Sequence, residues 1–454
     1  MGTPTTPQKR LLAAGAVKAG TWGDAVAVGE DFGILIKNDG GLAKKAALLA
    51  AKEADTPMVM EGDLGPIEAV DFAPEFDMRY NPGMIGMLIA MLFGTAGTPV
   101  AQFLIDVTNN KIDFDEGGAE LTGTVASGQY SGADLATAIA AAMNAAEGKT
   151  LTYTCTFSTV TRKFTIGAGT NFTIRWNTGT HKATDISDVC GYSDAANDTG
   201  SSSYDSDNVV GNAWKHTFQW SNTISGLMAT LVVERVGKIW EVPSCKPMAL
   251  DLTIAGGILT GKLSLRGNTI VDDSLVNTET EVDALTYADR ENRVKFVQGT
   301  VKMNGQGEGD VAEEDSLRVS NLTVKFSRPM DAVHVIGDPL IIEPMDGEHP
   351  AATITINFPR MSTENDAYFQ TFTGETEQKM LIEFTGPLIE LGLYYKLSLY
   401  FPRLRIVDVD NPFDDIVPAS ITLEAEAAAA APTGMDYMRP YLELLNAYNT
   451  DYLG

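Results

Sequence analysis

Cysteine is scarce: Cys155, Cys190 and Cys245 are the only three in 454 residues, and no two form a CxxC pair. This excludes a zinc ribbon and a disulfide framework, and it suits a reducing compartment. Histidine numbers four, none at metal-ligand spacing from another. Positive charge is short as well, with 33 Lys and Arg against 60 Asp and Glu, for a formal net charge of −27. A chain that wraps nucleic acid by neutralising phosphates needs clustered cations, which are missing here. No apolar run approaches the ~20 residues that cross a bilayer as a helix, so no membrane segment is expected. The LLAAGAV stretch behind Lys9 and Arg10 imitates a secretory signal, but it is short and Lys18 breaks it. Secretion by that route is not expected.

Motifs of catalysis are also missing. There is no GxSxG and no HExxH, and His216, His334 and His349 stand outside any nucleophile motif. GQGEGD (Gly305 to Asp310) imitates a phosphate loop without its lysine, and its acids would repel phosphate, so it reads as a surface turn. Asp113, Asp115, Glu116 and the pair Asp205, Asp207 do not match the spacing of a calcium loop and read as solvated. VDVDNPFDD (Val407 to Asp415) reads as a charged loop between strands. No catalytic, cofactor-binding or metal residue is assigned, and the chain is not expected to be an enzyme.

What the sequence does have is size, 43 glycines and one short apolar run. The length predicts two or three domains, and the glycine content predicts many turns in a mainly β (α+β) chain. In NPGMIGMLIAMLFGTAGTP, Asn81 suits an N-cap, Pro82 the first turn and Gly94 a left-handed C-terminal position. Between them Met84, Met87 and Met91 share one face, Ile85, Leu88 and Leu92 another, and Gly83, Gly86 and Ala90 a third. A helix that is apolar all round is buried all round, in its own core or partly against a neighbouring subunit.

A repeat of order lies around that helix. IEAVDFAPEF precedes it; LMATLVVERVG, KIWEVPSCKPMALDLTIAG and ILTGKLSLRGN follow as strands. Later, ATITINFPRM is followed by a second short helix, STENDAYFQTF, and then by KMLIEFTG, YYKLSLYFPRLRIVDVDN and VPASITLEAEA. The preludes EDFGILIKN and SLRVSNLTVKF also correspond. The chain thus carries two copies of a strand–helix–three-strand unit. Copy one has an insertion of over a hundred residues, from about Thr98 to Asn212.

The insert reads as a small α+β domain. KIDFDEGGAELTGTVASGQY supplies two strands, and Ser131 with Asp134 caps a helix from Ala133 to Ala146. TYTCTFSTVTRKFTIGAG forms a hairpin, NFTIRW a further strand, and DAANDTGSSSYDSDN a loop. The tail, with Tyr437, Tyr441, Leu444, Leu445 and Tyr448, reads as an amphipathic helix, either docked on a neighbour or folded back on its own domain. The expected organisation is therefore a discontinuous first unit (1–97 and 213–285), an insert (98–212), a second unit (286–430) and a C-terminal helical arm (431–454).

GTWGDAVAVGEDFGILI, the block FQWSNTISGLMATLVVERVGKIWEVPSCKPMALDLTIAGGILTGKLSLRGN and the short FGTAGTP resemble the major tail tube proteins of long-tailed bacteriophages. KIDFDEGGAELTGTVASGQYSGADLATAI resembles a small module of phage tail proteins. The resemblance implies tandem tube-like β-sandwich or barrel units, each with a flanking helix, whose strands join between subunits around a lumen. Stacked rings would carry DNA and the tape-measure protein. Two units per chain imply a trimeric, pseudo-hexameric ring with the insert outside as a decoration, in a virion assembled in the host cytoplasm beside tail terminator and baseplate proteins. The excess of acids implies a lumen that repels DNA, with no specific nucleic-acid binding. Two other readings stay open. One is a ring-forming baseplate hub or tail-completion protein; the other is a carbohydrate-binding adhesin that works through Trp176 and Tyr192 of the insert.

Overall fold

The computed structural model describes residues 11–453, apart from 16–19, 44–45, 51–61, 96, 236–237, 273, 286–291, 360–375, 391 and 411–418. The fold is mainly β. The chain begins with β1 (Leu11–Gly15), β2 (Val28–Leu35), β3 (Ala46–Ala50), β4 (Gly62–Ile67), β5 (Val70–Phe72) and β6 (Glu75–Asp77), then helix α1 (Met84–Phe93). The insert follows as β7 (Val100–Ile105), β8 (Lys111–Asp115), β9 (Leu121–Thr124), β10 (Gly128–Ser131), α2 (Gly132–Asn144), β11 (Tyr153–Ser158), β12 (Lys163–Ile174), α3 (Ser187–Cys190) and β13 (Asp198–Asp205). The main body resumes with β14 (Trp214–Gln219), β15 (Ala229–Arg235), β16 (Lys238–Ile254), β17 (Thr260–Gly267), β18 (Val271–Asp272) and α4 (Glu279–Asp283). The last part holds β19 (Gly299–Gly305), β20 (Asn321–Ser327), β21 (Ala351–Phe358), β22 (Gln378–Glu390), β23 (Leu393–Asp410), β24 (Ala419–Ala425) and β25 (Tyr441–Asn446). No described helix is long and apolar enough to cross a membrane.

The repeat of order is a repeat of pairing. In the first unit β1 pairs with β15, β15 with β16, β16 with β17, and β17 with β5 and β6, all antiparallel. In the second, β19 pairs with β22, β22 with β23, β23 with β24, and β24 with β21, again antiparallel. Even the preludes match: β20 lies on β21, and Asn38, just after β2, bridges Glu75 of β6. The prolines inside the two long strands mark changes of partner. β16 leaves β15 at Cys245 and takes β20 from Ala249, with a register shift between Pro247 and Ala249. β23 shifts around Pro402 in the same way before taking β24 at Leu404. A residue without an N–H is tolerated where a ladder is already interrupted.

The pairing of β16 with β20 joins the two units, so that one apolar core serves both. α1 lies inside it with all ten residues buried. Its start differs from the sequence expectation. Gly83, at φ 53°, occupies the N-cap position instead of Asn81, and no side chain caps it. Gly94 ends the helix in the left-handed region, as expected. The small face has a specific use, since a Cβ added at Gly86 would sit 2.3 Å from the Tyr452 ring. The expected second helix, STENDAYFQTF, lies outside the described residues.

The insert has a separate core around Phe114, Leu135, Ile139, Phe164 and Trp176. It joins the body through β7, which pairs with both β10 and β14. Ser131 caps α2 by accepting from Asp134 N, although the helix runs Gly132–Asn144. Three expectations fail here. The KIDFDEGG segment supplies three strands, β8, β9 and β10, where two were expected. NFTIRW continues β12 and is not a separate strand, and much of the expected Ser/Asp-rich loop is β13, paired with β12. Backbone pairing there overrides a polar composition.

The C-terminal helical arm is absent: Tyr441–Asn446 is a strand between β14 and β23. Tyr441, Leu442, Leu444 and Leu445 are all buried because this strand is covered on both faces. A run without alternation imitates a buried helix. Val407 to Asp410 likewise belong to β23 and not to a loop.

Candidate functional site: a polar sheet face across both units

No catalytic constellation is present among the described residues, so the feature to examine is the sheet that crosses both units. Its order is the segment 36–40, then β6, β17, β16, β20, β21, β24 and β23. Side chains alternate across it. Leu250, Leu252, Leu322, Val324, Ile354, Ile356, Ile421 and Leu423 turn into the core. The opposite face carries mostly polar side chains.

Strand register organises that face into rows. One row reads Asp77, Thr260, Thr253, Thr323, Thr355, Thr422, Asp408, each residue the cross-strand partner of the next. Five adjacent threonines thus cross four strand boundaries, with Oγ1 atoms 3.4 Å apart at Thr253–Thr323 and at Thr355–Thr422. The neighbouring row reads Glu75, Lys262, Asp251, Lys325, Thr353, Glu424, Arg405. It alternates in sign apart from the single threonine, with three acids against three cations. Cross-strand neighbours of opposite charge stabilise a sheet modestly, by ~0.2–1 kcal/mol a pair.

The two edges of this sheet differ from its interior. On one side, Arg405 to Asp410 pair with β24, and their other edge meets no strand among the described residues. Val407 is 43% exposed there. On the other side, Lys37 places Nζ 2.5 Å from Asp77 and 3.1 Å from Thr260 Oγ1, which extends the threonine row to its first strand.

Buried cations lock the units around this sheet. Arg328, at the end of β20, is fully buried and donates to Leu92 O at the α1 C-terminus and to Ser221 O, beside the Trp220 ring. A cation suits the negative end of a helix. Lys246, 1% exposed, donates to Ile224 O and Pro344 O and pairs with Glu343 at 2.6 Å. Burial lowers its pKa, while Glu343 acts in the opposite direction. Lys379 donates to Glu308 O, Gly309 O and Thr433 O. The GQGEGD turn therefore wraps a buried lysine of its own chain.

The acids and histidines noted in the sequence are occupied structurally, and Asp113 and Asp115, expected to be solvated, are instead buried in β8. Asp113 accepts from Thr122 and from His181 N, and Asp115 pairs with Arg175 at 2.7 Å. Glu116 accepts from Thr150, Leu151 and Tyr153; desolvation raises its pKa, but these bonds outweigh it and hold the carboxyl at about 2. Asp205 and Asp207 accept from Thr165 and Ser193. Among the described residues no group of three or more His, Cys, Asp or Glu could hold a metal ion. His216 is buried with Gly97 O and Tyr448 O at its two ring nitrogens, and desolvation lowers its pKa. His334 meets Ile67 O at 2.9 Å through Nε2. Trp176 and Tyr192 are buried and stacked at 4.9 Å, with Trp176 Nε1 donating to Asp198, so they belong to the insert's core and offer no aromatic platform to a sugar.

Sequence reasoning missed the polar face, because its rows are formed from seven strands that no local pattern connects. Only the alternation within single strands, such as Leu322, Val324 and Phe326 against Thr323 and Lys325, carried a signal.

No protein-family model matches the chain, and no curated protein matches it. Among solved structures, a chain of a virion of a native gene transfer agent particle is similar at 9% identity and a TM-score of 0.21, covering 29% of this chain and 94% of its own. A likeness of that extent assigns no family.

Proposed function

We propose that the chain is a structural virion protein, a subunit of a phage tail tube. Three copies close into a pseudo-hexameric ring, and rings stack into the conduit through which DNA leaves. The single observation that carries this reading is the polar sheet. The first unit contributes β6, β17, β16 and the bridged 36–40 segment to it, the second contributes four strands, the units are joined inside the chain by β16 on β20, and the outer edge of β23 from Arg405 to Asp410 meets no strand among the described residues. By the internal repeat, the open edge of β23 corresponds to the edge of β16 that β20 occupies. The occupant of the open edge is then the 36–40 segment of the next copy, which corresponds to β20. Lys37 and Asp408 would meet there, opposite in charge. Pairing between copies also removes the aggregation hazard of bare edges.

Eight strand positions per chain, counting the 36–40 segment, give roughly twenty-four in a ring of three. At a spacing of about 4.8 Å and a tilt of ~40°, such a wall is ~48 Å across at the backbone. That leaves room for a duplex once side chains are subtracted. The insert, attached through the β7 and β14 neck away from these rows, serves as an outward decoration. Partners in this reading are further copies, the tape-measure protein, and the terminator and baseplate proteins; assembly takes place in the host cytoplasm. The chain acts as a scaffold and not as an enzyme.

Electron microscopy of the concentrated protein tests this. Tubes or rings with threefold averages and outward knobs are expected; a dispersed monomer that stays so when seeded with tube ends would contradict it. Single rings that never stack would favour a tail-completion role instead.

A further inference from the structure

A cleft of about 250 Å³ opens where five segments of the body come together: just past β14 (Trp220, Asn222), just past β20 (Arg328), before β21 (His349), just past β24 (Glu426) and before β25 (Arg439). We infer that this cleft is a binding site for a small oxyanion, a phosphate or a carboxylate, held among Arg328, Arg439 and His349. The site goes beyond the tube reading and does not depend on it, since one chain supplies all of its walls.

Three observations carry it. First, the cleft holds unmatched positive charge in a chain whose net charge is −27. Arginines elsewhere are neutralised by acids, as Arg175 is by Asp115 and Arg266 by Asp71. Arg439 and His349 are exposed, and neither side chain has a hydrogen bond or ion pair to another described residue. The one acid in the lining, Glu426, is already held by Arg403 at 3.3 Å and Arg405 at 3.4 Å. Second, the buried Arg328 has an unmet donor. Its terminal nitrogens serve Leu92 O and Ser221 O, but Nε makes no hydrogen bond, although Asp346 Oδ1 lies 3.2 Å away. Desolvation lowers the Arg328 pKa, and Asp346 opposes this only in part. Third, the two free groups are set in place before any ligand arrives. Pro350 follows His349 and Pro440 follows Arg439, and both prolines line the cleft. A residue before proline is confined to extended backbone.

The chemistry follows from the donors. Arginine keeps its charge in proteins, and its planar fork matches the oxygens of phosphate and carboxylate in pairs. Asn222 adds an amide at the same mouth. The Trp220 ring, stacked on Phe93 at 4.5 Å and lying 5.3 Å from the Arg328 guanidinium, is a fixed wall. Groups already held in position lose little freedom on binding, so an anion meets them at low cost in ordering. It also offsets the electrostatic cost of burying Arg328. The volume suits one oxyanion and the few atoms that carry it.

The experiment is isothermal titration calorimetry of the full-length protein at fixed, low chloride, with inorganic phosphate and succinate as separate probes. Saturable binding at one site per chain is expected for at least one of them, and the tighter probe tells phosphate from carboxylate recognition. Arg439→Gln should weaken that binding at least about tenfold, the loss of a charged hydrogen-bond partner. Arg439→Lys keeps the charge without the fork and should lose less. Arg318→Gln, at an exposed arginine outside the cleft, changes the net charge equally and should bind as wild type does. Arg328 is left untouched because it also serves the end of α1, and matching urea unfolding of the three variants checks that the fold is intact. No saturable heat with either probe would overturn the inference. So would equal weakening by Arg439→Gln and Arg318→Gln, which would trace the binding to bulk charge. Failure to form rings counts against the conduit reading alone.

Discussion

The edges of β16 and β23 are the same position in the repeat in two different states. Along β16 from Ala249 to Ile254, every residue has a partner on β17 or β20, and Leu250, Leu252 and Ile254 are buried. Along β23 from Arg405 to Asp410 only one side is paired among the described residues, and Val407 and Asp408 face solvent. Equivalent strands of one chain therefore differ in a way that local sequence does not demand. On the proposed assembly the fold contains one completed joint and one uncompleted joint of the same design, and most of the tests below act on one and spare the other.

The largest effect is expected at the completed joint. Phe326 on β20 is buried, 5.2 Å from the Phe93 ring and 5.9 Å from that of Phe401. Phe326→Ala should cost ~3–5 kcal/mol in urea unfolding, whereas Val407→Ala at the open edge should leave the isolated chain within ~0.5 kcal/mol of wild type. Equal losses would mean that the two edges are not in different states.

Arg328→Ala comes next, because it leaves Leu92 O, Ser221 O and Asp346 without their buried cation. A loss of ~2–4 kcal/mol is expected from the same measurement. Gly86→Ala should cost ~1–3 kcal/mol by overpacking against Tyr452, and shortening Tyr452 to Ala in the same chain should make the added methyl nearly harmless. Additive losses in that pair would show that the ring is not what the glycine accommodates.

The smallest effect lies in the insert and separates it from the joints. Glu116 is held at about 2 against an ordinary 4.5, so its contribution to stability is fully present above pH 4.5 and is lost as pH falls toward 2. The insert's melting transition should drop over that window, and Glu116→Gln should flatten the drop without altering the body. A variant with an unchanged acid slope would remove Glu116 as its source.

Legibility in the sequence followed how local each signal was. The order of strands in both copies, the buried methionine helix and the Ser131 cap could be read because each rests on a short periodic or capping pattern. β25 could not: Tyr441, Leu442, Leu444 and Leu445 are buried on two faces, so the alternation that identifies a strand is erased. β13 failed for the opposite reason, since Ser201 and Ser203 are held by the β12 backbone and by the Ser201 hydroxyl with little apolar signal. The threonine and charge rows were beyond reach altogether, because they exist only once the registers of β6, β17, β16, β20, β21, β24 and β23 are known.

The central claim is that the open edge of β23 accepts the 36–40 segment of another copy. Lys37 and Asp408 are separated by seven strand spacings, about 34 Å along the sheet, so they cannot meet within one chain. The chain carrying both Lys37→Cys and Asp408→Cys, oxidised after assembly, tests the claim directly; Cys190 and Cys245 are buried and the Cys155 thiol is pushed up to about 12, so the native thiols are poor competitors. The account predicts a covalent ladder that stops at three chains on a non-reducing gel, with neither single variant going beyond a dimer. Assembled rings that give no cross-link under the same oxidation would contradict it.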